Sequence, residues 1–250
     1  MSVKTILISQ AAPKVIAPYD NLSSKYGVKF VFQPFCKTVP LSSIEMRSQH
    51  CNVLDYTAIV FSARSTIDAF FTLCEDLRVK VPETMKYFCT NEKVAMYLQK
   101  HIVYRKRKIF YGDGTPSSVV ALITAKHKDD NFMIVTTKES PVNSISLEFD
   151  KTEFKHSNVI FAKSVPCELK DIDPSSFDVI VMYSKLDVAG FKSNFPDFVQ
   201  GDTAFITYGS DSLKKAVSEA GYSIAVSAPS PNCPSVVAAI EQFILSSSSK

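Results

Sequence analysis

Five short stretches of this chain each occur twice, in the same order. The matching pairs are residues 6–13 with 134–141, 36–40 with 162–166, 57–71 with 177–191, 86–98 with 204–217, and 115–123 with 233–240. Self-similarity of this kind indicates that one supersecondary plan is used more than once. We therefore predict two lobes of similar architecture within the 250 residues.

The third pair of stretches predicts a buried strand followed by a helix. Ala58–Phe61 and Val179–Met182 are continuously apolar, as strands covered on both faces are. Apolar residues then recur at helical spacing, at Ile67, Phe70 and Phe71. Alternating strands and helices of this length favour right-handed β–α–β units, and hence an α/β fold with parallel sheets and helices on both faces.

Polar residues and prolines mark where the helices are expected to begin. The predicted caps of four helices are Ser62 or Ser65, Asn91, Ser184, and Ser210 or Asp211. Pro116 and Pro234 are expected at the first position of two other helices, where proline is tolerated. In open parallel sheets, ligands bind beyond the carboxyl ends of the strands, where helix N-termini present N–H groups. Each strand-to-helix turn is therefore a candidate binding loop.

Charge and motifs exclude several classes of function. A net charge of +3 is too small to suggest a protein that binds nucleic acid mainly through its phosphates. The basic run at residues 105–108 is interpreted either as a solvated loop or as an attraction for a polyanionic ligand. The four histidines show no zinc-ligand spacing, and no GxGxxG, P-loop or GxSxG motif is present. We therefore expect no metal and no nucleotide cofactor.

Cysteine spacing and hydropathy suggest a compartment. The six cysteines lie far apart and form no CxxC pair, which is unlike a secreted disulfide scaffold. The apolar segment at residues 6–8 is too short for a signal-peptide core, and no stretch is long enough to cross a bilayer. A cytoplasmic location is expected, with no membrane partner.

Four stretches of the chain resemble the uroporphyrinogen-III synthase family. They are residues 58–71, 86–98, 204–222 and 228–244, and the likeness extends over essentially the whole chain. The segment at residues 86–115 is similar to the version found in one bacterial branch. The chain is thus identified as a divergent bacterial member, on the order of its motifs rather than on any single one.

The resemblance implies a particular arrangement of domains. The fold would be two flavodoxin-like domains joined by a two-stranded linker, with the repeated KTVP and KSVP segments as the two crossings. Domain one would combine residues 1–37 with 165–250, and domain two would span residues 38–164. Simple tandem halves divided near residue 130 are the competing layout.

The resemblance also implies a reaction. Members of the family close the linear tetrapyrrole hydroxymethylbilane into uroporphyrinogen III, with loss of water and inversion of the last pyrrole ring through a spiro intermediate. They need no cofactor. The expected partner is this small molecule alone, bound in a cleft between the domains of a monomer.

Helix N-termini suit the eight carboxylates of such a substrate, because their dipoles and N–H groups supply positive potential. The candidate substrate-binding residues are Ser62, Ala63, Arg64, Ser65 and Asn91 in one domain, and Ser184, Lys185, Gly209, Ser210 and Ser212 in the other. For each hydroxyl, helix capping is the competing interpretation. No residue is assigned a catalytic role.

Departures from the family pattern leave other functions open. Ala162 aligns with a family tyrosine suspected of assisting hydroxyl loss, and Asp211 would repel an anionic substrate. One alternative is therefore a degenerate paralogue that binds a tetrapyrrole or another polyanion without closing it. Another is a sugar-binding module of the hinged periplasmic type, which the absence of an export signal argues against.

Overall fold

The computed structural model describes residues 3–248. Its strands are β1 (Thr5–Ile8), β2 (Lys29–Phe32), β3 (Cys36–Pro40), β4 (Ala58–Phe61), β5 (Lys86–Cys89), β6 (Ile109–Tyr111), β7 (Phe132–Thr137), β8 (His156–Pro166), β9 (Val179–Met182), β10 (Ala204–Tyr208) and β11 (Ile224–Ala228). Its α-helices are α1 (Ala17–Tyr26), α2 (Ser43–Arg47), α3 (Arg64–Asp76), α4 (Glu92–Tyr97), α5 (Pro116–Ala121), α6 (Ser144–Phe149), α7 (Lys185–Asn194), α8 (Asp211–Glu219) and α9 (Val236–Ser248).

The chain forms two compact units. Unit 1 runs to Lys37 and resumes at Val165, and unit 2 is Thr38–Ser164. Strands β1 and β2 consequently share a sheet with β9, β10 and β11, although all of unit 2 lies between them in the sequence.

The sheet of unit 1 is parallel throughout. Its order is β11-β10-β9-β1-β2, and the register pairs Ile6 with Val179 and with Phe30. If these strands are counted along the chain, the order is that of flavodoxin, with a topological switch point between β1 and β9.

The sheet of unit 2 repeats this order and adds an edge strand. Its order is β3-β8-β7-β4-β5-β6, and the five strands from β8 to β6 pair in parallel. Strand β3 runs antiparallel to β8. The N–H of Leu41, just after β3, donates to Phe161 O within β8, whereas the N–H of Cys167, just after β8, donates to Phe35 O, just before β3. The KTVP and KSVP segments are therefore paired strands.

The sequence repeat has a structural counterpart in the two sheets. Strands β1, β9 and β10 of unit 1 occupy the same sheet positions as β7, β4 and β5 of unit 2. After the edge strand β3, unit 2 continues with β4, the counterpart of the third strand of unit 1, so the order of the remaining five strands along the chain is circularly permuted. The prediction of two mostly parallel sheets with alternating helices is confirmed; the edge strand β3 is the antiparallel exception.

Each face of the unit 1 sheet carries its own core. Ile6 and Val179 pack with residues of α1 and α9 on one face. Leu7 and Ile180 pack with Phe191 of α7 and its neighbours on the other. Successive strand residues thus point to opposite faces, as the pleat requires.

Unit 2 is built in the same way. Phe61 and Phe70 lie in a core formed with α3 and α4, whereas Val60 and Phe149 lie in a core formed with α5 and α6. Phe70 is fully buried, and truncation of such a residue to alanine costs about 3–5 kcal/mol. Burial of both faces explains why Ala58–Phe61 is continuously apolar.

The predicted helix starts are partly wrong. Helix α3 begins after Ala63 and has no side-chain cap, so neither Ser62 nor Ser65 caps it. Ala63 takes the extended conformation required of an N-cap, which places Ser62 before the cap and Ser65 inside the helix. Pro234 also precedes its helix rather than opening it, because α9 starts at Val236.

Other predicted starts are confirmed. Pro116 is the first residue of α5. Asn91 and Ser184 accept the capping hydrogen bonds of α4 and α7. Ser210 occupies the N-cap position of α8, but its side chain makes no capping bond.

Candidate active site

The predicted site residues of unit 2 lie where β4 and β5 end. Residues 62–65 follow β4, and Asn91 follows β5. Thr90 joins the two turns, because its backbone N–H donates to Phe61 O at 3.1 Å and its hydroxyl donates to Ser62 O at 3.1 Å. The structure thus brings Ser62, Ala63, Arg64, Ser65 and Asn91 to one sheet edge.

The start of α3 is suited to an anion. This helix has 13 residues and no side-chain cap, so its first turn presents N–H groups that the usual serine or aspartate does not cover. The helix dipole adds partial positive charge at the same place. The missing cap, which contradicted the sequence prediction, makes this turn better adapted to an external carboxylate.

Arg64 stands at this helix start and is exposed. Its guanidinium lies over the Tyr97 ring, 5.3 Å from the centroid, which is cation–π geometry. The Tyr97 hydroxyl in turn donates to Asp68 Oδ2 at 2.7 Å. Burial tends to raise the pKa of Asp68, but hydrogen bonds from Tyr97 and His101 outweigh it and lower that pKa. The Tyr97 ring therefore packs against one face of the Arg64 guanidinium, and the exposed side chain keeps N–H donors for an external anion.

Asn91 uses its side-chain oxygen within the protein. Oδ1 accepts the Val94 N–H at 3.1 Å, so the competing interpretation of Asn91 as a helix cap holds for this atom. The amide NH₂ group is the part of Asn91 that has donors to offer an external acceptor.

A third turn at the same edge follows β6, and none of its residues was named among the candidate substrate-binding residues. Asp113 Oδ1 accepts from the Thr115 N–H at 2.8 Å and from its hydroxyl at 2.7 Å, and these bonds lower the pKa of Asp113. Gly114 has φ +109° and donates its N–H to Thr90 O at 2.8 Å. The GDGTP string before a helix was the available signal, since such a string is typical of a strand-to-helix turn.

In unit 1, the turn between β9 and α7 holds one of the protein's own carboxylates. Asp187 Oδ2 accepts the backbone N–H groups of Tyr183 and Ser184 at 2.8 and 2.9 Å, and the Ser9 hydroxyl at 3.0 Å. Burial raises the pKa of Asp187, and these hydrogen bonds act in the opposite direction. Asp187 belongs to a capping box with Ser184, a pattern that the spacing of the two residues could have revealed.

This occupancy limits what the turn can bind. The Ser184 N–H donates to Asp187 Oδ2, and the Ser184 hydroxyl oxygen accepts from the Asp187 N–H. Both bonds agree with the interpretation of Ser184 as a helix cap. Lys185 is exposed at the first position of α7. In this turn the lysine side chain is consequently better placed than Ser184 to meet an external anion.

The turn between β10 and α8 brings Gly209, Ser210 and Ser212 to the same edge. A Cβ added at Gly209 would lie 3.0 Å from Tyr183 O, so a larger residue at this position would push the two turns slightly apart. Ser210 Oγ and Ser212 Oγ lie 2.7 Å apart. Asp211 is exposed and pairs with Lys214 at 2.9 Å, which offsets part of the negative charge expected to repel the substrate.

Ala162 is fully buried in β8, and its carbonyl accepts the Lys138 N–H at 2.8 Å. The position aligned with the family tyrosine thus carries only a methyl group. Among residues 3–248, no group of three or more histidine, cysteine, aspartate or glutamate side chains could hold a metal ion. No helix in the same range is both long and apolar enough to span a bilayer.

Comparison with known proteins gives a family and a fold. The sequence matches the family described as uroporphyrinogen-III synthase HemD over residues 18–238. No curated protein matches the chain.

Among solved structures, uroporphyrinogen-III synthetase from Helicobacter pylori is similar, with a TM-score of 0.55, 13% identity and coverage of 99% of this chain and 100% of that one. Wild-type uroporphyrinogen III synthase from the extremely thermophilic bacterium Thermus thermophilus has a TM-score of 0.45 and 12% identity, with the same coverage. At these identities the likeness to the first structure bears on the fold alone.

Proposed function

This chain belongs to the uroporphyrinogen-III synthase family, and we propose that its strand-end turns bind the carboxylates of hydroxymethylbilane. The reaction is closure of this linear tetrapyrrole to uroporphyrinogen III, with loss of water and without a cofactor. The family match over residues 18–238 is the observation that carries the function. Neither the match nor the fold favours the non-catalytic tetrapyrrole binder.

The substrate supplies most of the chemistry. Loss of its hydroxyl group gives an electrophilic azafulvene, and the protein must hold the chain so that the substituted carbon of the last ring attacks it. A bound substrate held at several carboxylates loses the freedom to close without inversion. Positioning groups are therefore expected to matter more than any single acid or base.

In unit 2 we assign the binding role to the turn at residues 62–65 and to Asn91. The uncapped start of α3 and the exposed guanidinium of Arg64 support this assignment. A guanidinium can bind a carboxylate through two parallel hydrogen bonds, which fixes the orientation of the carboxylate as well as its position.

In unit 1 we assign the role of binding the substrate carboxylates to Lys185, Gly209, Ser210 and Ser212. Ser184 supports this site by capping α7. Ser210 and Ser212 have exposed hydroxyls, whereas those of Ser184 and Ser9 are committed to Asp187 and its backbone.

We also propose that units 1 and 2 are the two domains of the enzyme, that it acts as a monomer in the cytoplasm, and that nucleic acid is not a partner. The compact division of the chain at Lys37 and Val165 supports the first statement. Sedimentation of the full-length protein tests the monomer, fractionation of the native cells tests the location, and a mobility shift with DNA and RNA tests the absence of a nucleic-acid partner.

Isomer analysis tests the function directly. Full-length protein is given freshly generated hydroxymethylbilane, and the products are oxidised to porphyrins and separated. The expected product is the type III isomer, in amounts proportional to enzyme. Exclusive formation of the type I isomer, which arises spontaneously, would overturn the proposal.

A further inference from the structure

Unit 2 has a cavity at the edge of its sheet opposite the candidate active site. The cavity measures about 200 Å³ and opens beside Met85 and Lys108. These residues directly precede β5 and β6, whereas the turn at residues 62–65 and Asn91 follow carboxyl ends of the same sheet. A ligand here would therefore be separate from the substrate.

The lining of the cavity is mostly apolar. The apolar residues that line it are Val81, Pro82, Met85, Ile102, Val103 and Ile109. Met85 and Ile109 belong to the core beneath α3 and α4, so the cavity is an opening into a packed interior. Pockets for drug-sized ligands measure about 300–1,000 Å³, and this one suits a smaller apolar body.

Tyr87 supplies a polar group without a partner. Its side chain lines the cavity, is 4% exposed and stacks on Phe61 with ring centroids 6.3 Å apart. Within residues 3–248 its hydroxyl makes no hydrogen bond, and burial raises its pKa, so it remains a neutral donor. A neutral phenol has one O–H to donate, so the Tyr87 hydroxyl is available to an acceptor bound in the cavity.

The rim of the cavity is basic. Arg105 Nη2 lies 3.2 Å from Glu83 Oε2, and Lys108 Nζ donates to Glu83 O. Guanidinium and ammonium groups carry five and three donors, so Glu83 leaves most of them available. Arg105 and Lys108 are the ends of the basic run that neither the fold nor the active site explains.

We propose that this cavity binds a small hydrophobic carboxylate. Its apolar body packs on the floor, and its head group accepts hydrogen bonds from Arg105, Lys108 and the Tyr87 hydroxyl. Apolar lining favours the body, the rim favours a negative charge, and the unpartnered phenol favours an acceptor. One ligand class satisfies all three features.

Hexanoate is the probe, and full-length protein is titrated with it by NMR. Saturable binding with a Kd of about 1 mM is expected for a ligand of this size. Lys108→Ala should weaken binding about tenfold and Tyr87→Phe about fivefold, as expected for one charged and one neutral hydrogen bond. Tyr87→Phe keeps the ring stacked on Phe61, which protects the fold.

Two controls separate a built site from general attraction. Arg107→Ala removes a charge of the same run that does not line the cavity, and it should leave binding unchanged. 1-Hexanol has the same chain without the charge and should bind at least tenfold more weakly. The absence of saturable binding, or an equal loss of affinity in Arg107→Ala and Lys108→Ala, would overturn the proposal.

Discussion

Ser9 Oγ donates a 3.0 Å hydrogen bond to Asp187 Oδ2, and both side chains are buried. The contact joins the end of β1 to the first turn of α7, at the switch point of the unit 1 sheet. Such a point is where ligands of open parallel sheets bind. In this protein, part of that position is filled by the carboxyl group of Asp187.

Asp187→Ala is expected to lower the free energy of unfolding by about 3 kcal/mol, since it leaves Ser9 and two backbone N–H groups without their acceptor. Urea titration followed by circular dichroism measures the change. Asp211→Ala, which removes an exposed aspartate from the first turn of α8, should change stability by less than about 0.5 kcal/mol. Equal effects of the two substitutions would show that the buried contact has no special role.

Arg64→Ala should raise KM for hydroxymethylbilane about tenfold, because a charge-assisted hydrogen bond is lost. It should also make KM less sensitive to salt. Arg78, which lies just beyond the other end of the same helix, is the matched control, and Arg78→Ala should leave KM unaltered. Arg64→Lys keeps the charge and is expected to fall in between; unchanged kinetics in Arg64→Ala would remove Arg64 from the site.

Asp211→Asn should lower KM at low ionic strength by about threefold, since a negative charge near the substrate carboxylates is removed. High salt should abolish the difference. Asp202 precedes β10 and so lies at the opposite edge of the same sheet, which makes Asp202→Asn the control. An identical response of both variants would indicate an effect of net charge alone.

Acid stability should depend on Glu45. A hydrogen bond from Lys163, aided by those from Ser42, lowers the pKa of Glu45 to about 2. Since the ordinary value is 4.5, the folded state favours the ionised form. The ionised Glu45 therefore adds to the free energy of unfolding above pH 4.5, and this stabilisation is lost as the pH falls toward 2.

Thermal melts of the wild type and of Glu45→Gln across this range check the prediction. The variant should be less stable near pH 6, and the two curves should converge as the pH approaches 2. Glu153→Gln, at an exposed residue, serves as the control. A difference in melting temperature between the two proteins that stays constant at every pH would mean that the ionised form of Glu45 is not what stabilises the fold.

Much of the architecture could be predicted from local patterns. The apolar run at Ala58–Phe61 and the helical spacing after it predicted a strand and a helix, because burial on two faces or on one stripe leaves a periodic trace. Asn91 and Ser184 were recognised as caps for a similar reason, since a cap bonds to residues two or three positions away.

The wrong cap predictions arise where the sheet overrides a local preference. Ser62 and Ser65 are good capping residues, yet α3 starts after Ala63 because the backbone leaving β4 becomes extended there. Capping preference is a weak bias, and strand ends that are fixed by the sheet override it.

The sequence by itself determined the two repeated strand–helix sets, the sheet edge at which each turn lies and, through resemblance, the family. No local pattern predicted that β1 and β2 join β9–β11; the family resemblance implied it, and the sheet of unit 1 has that order. Only the tertiary structure decided that Ser9 meets Asp187 across 178 positions, and that Tyr87 lines a cavity with a basic rim. Periodicity and capping depend on neighbours a few residues away, so a short stretch of sequence is enough to predict them. Distant contacts depend on which surfaces the folded chain buries together, and no short stretch specifies that.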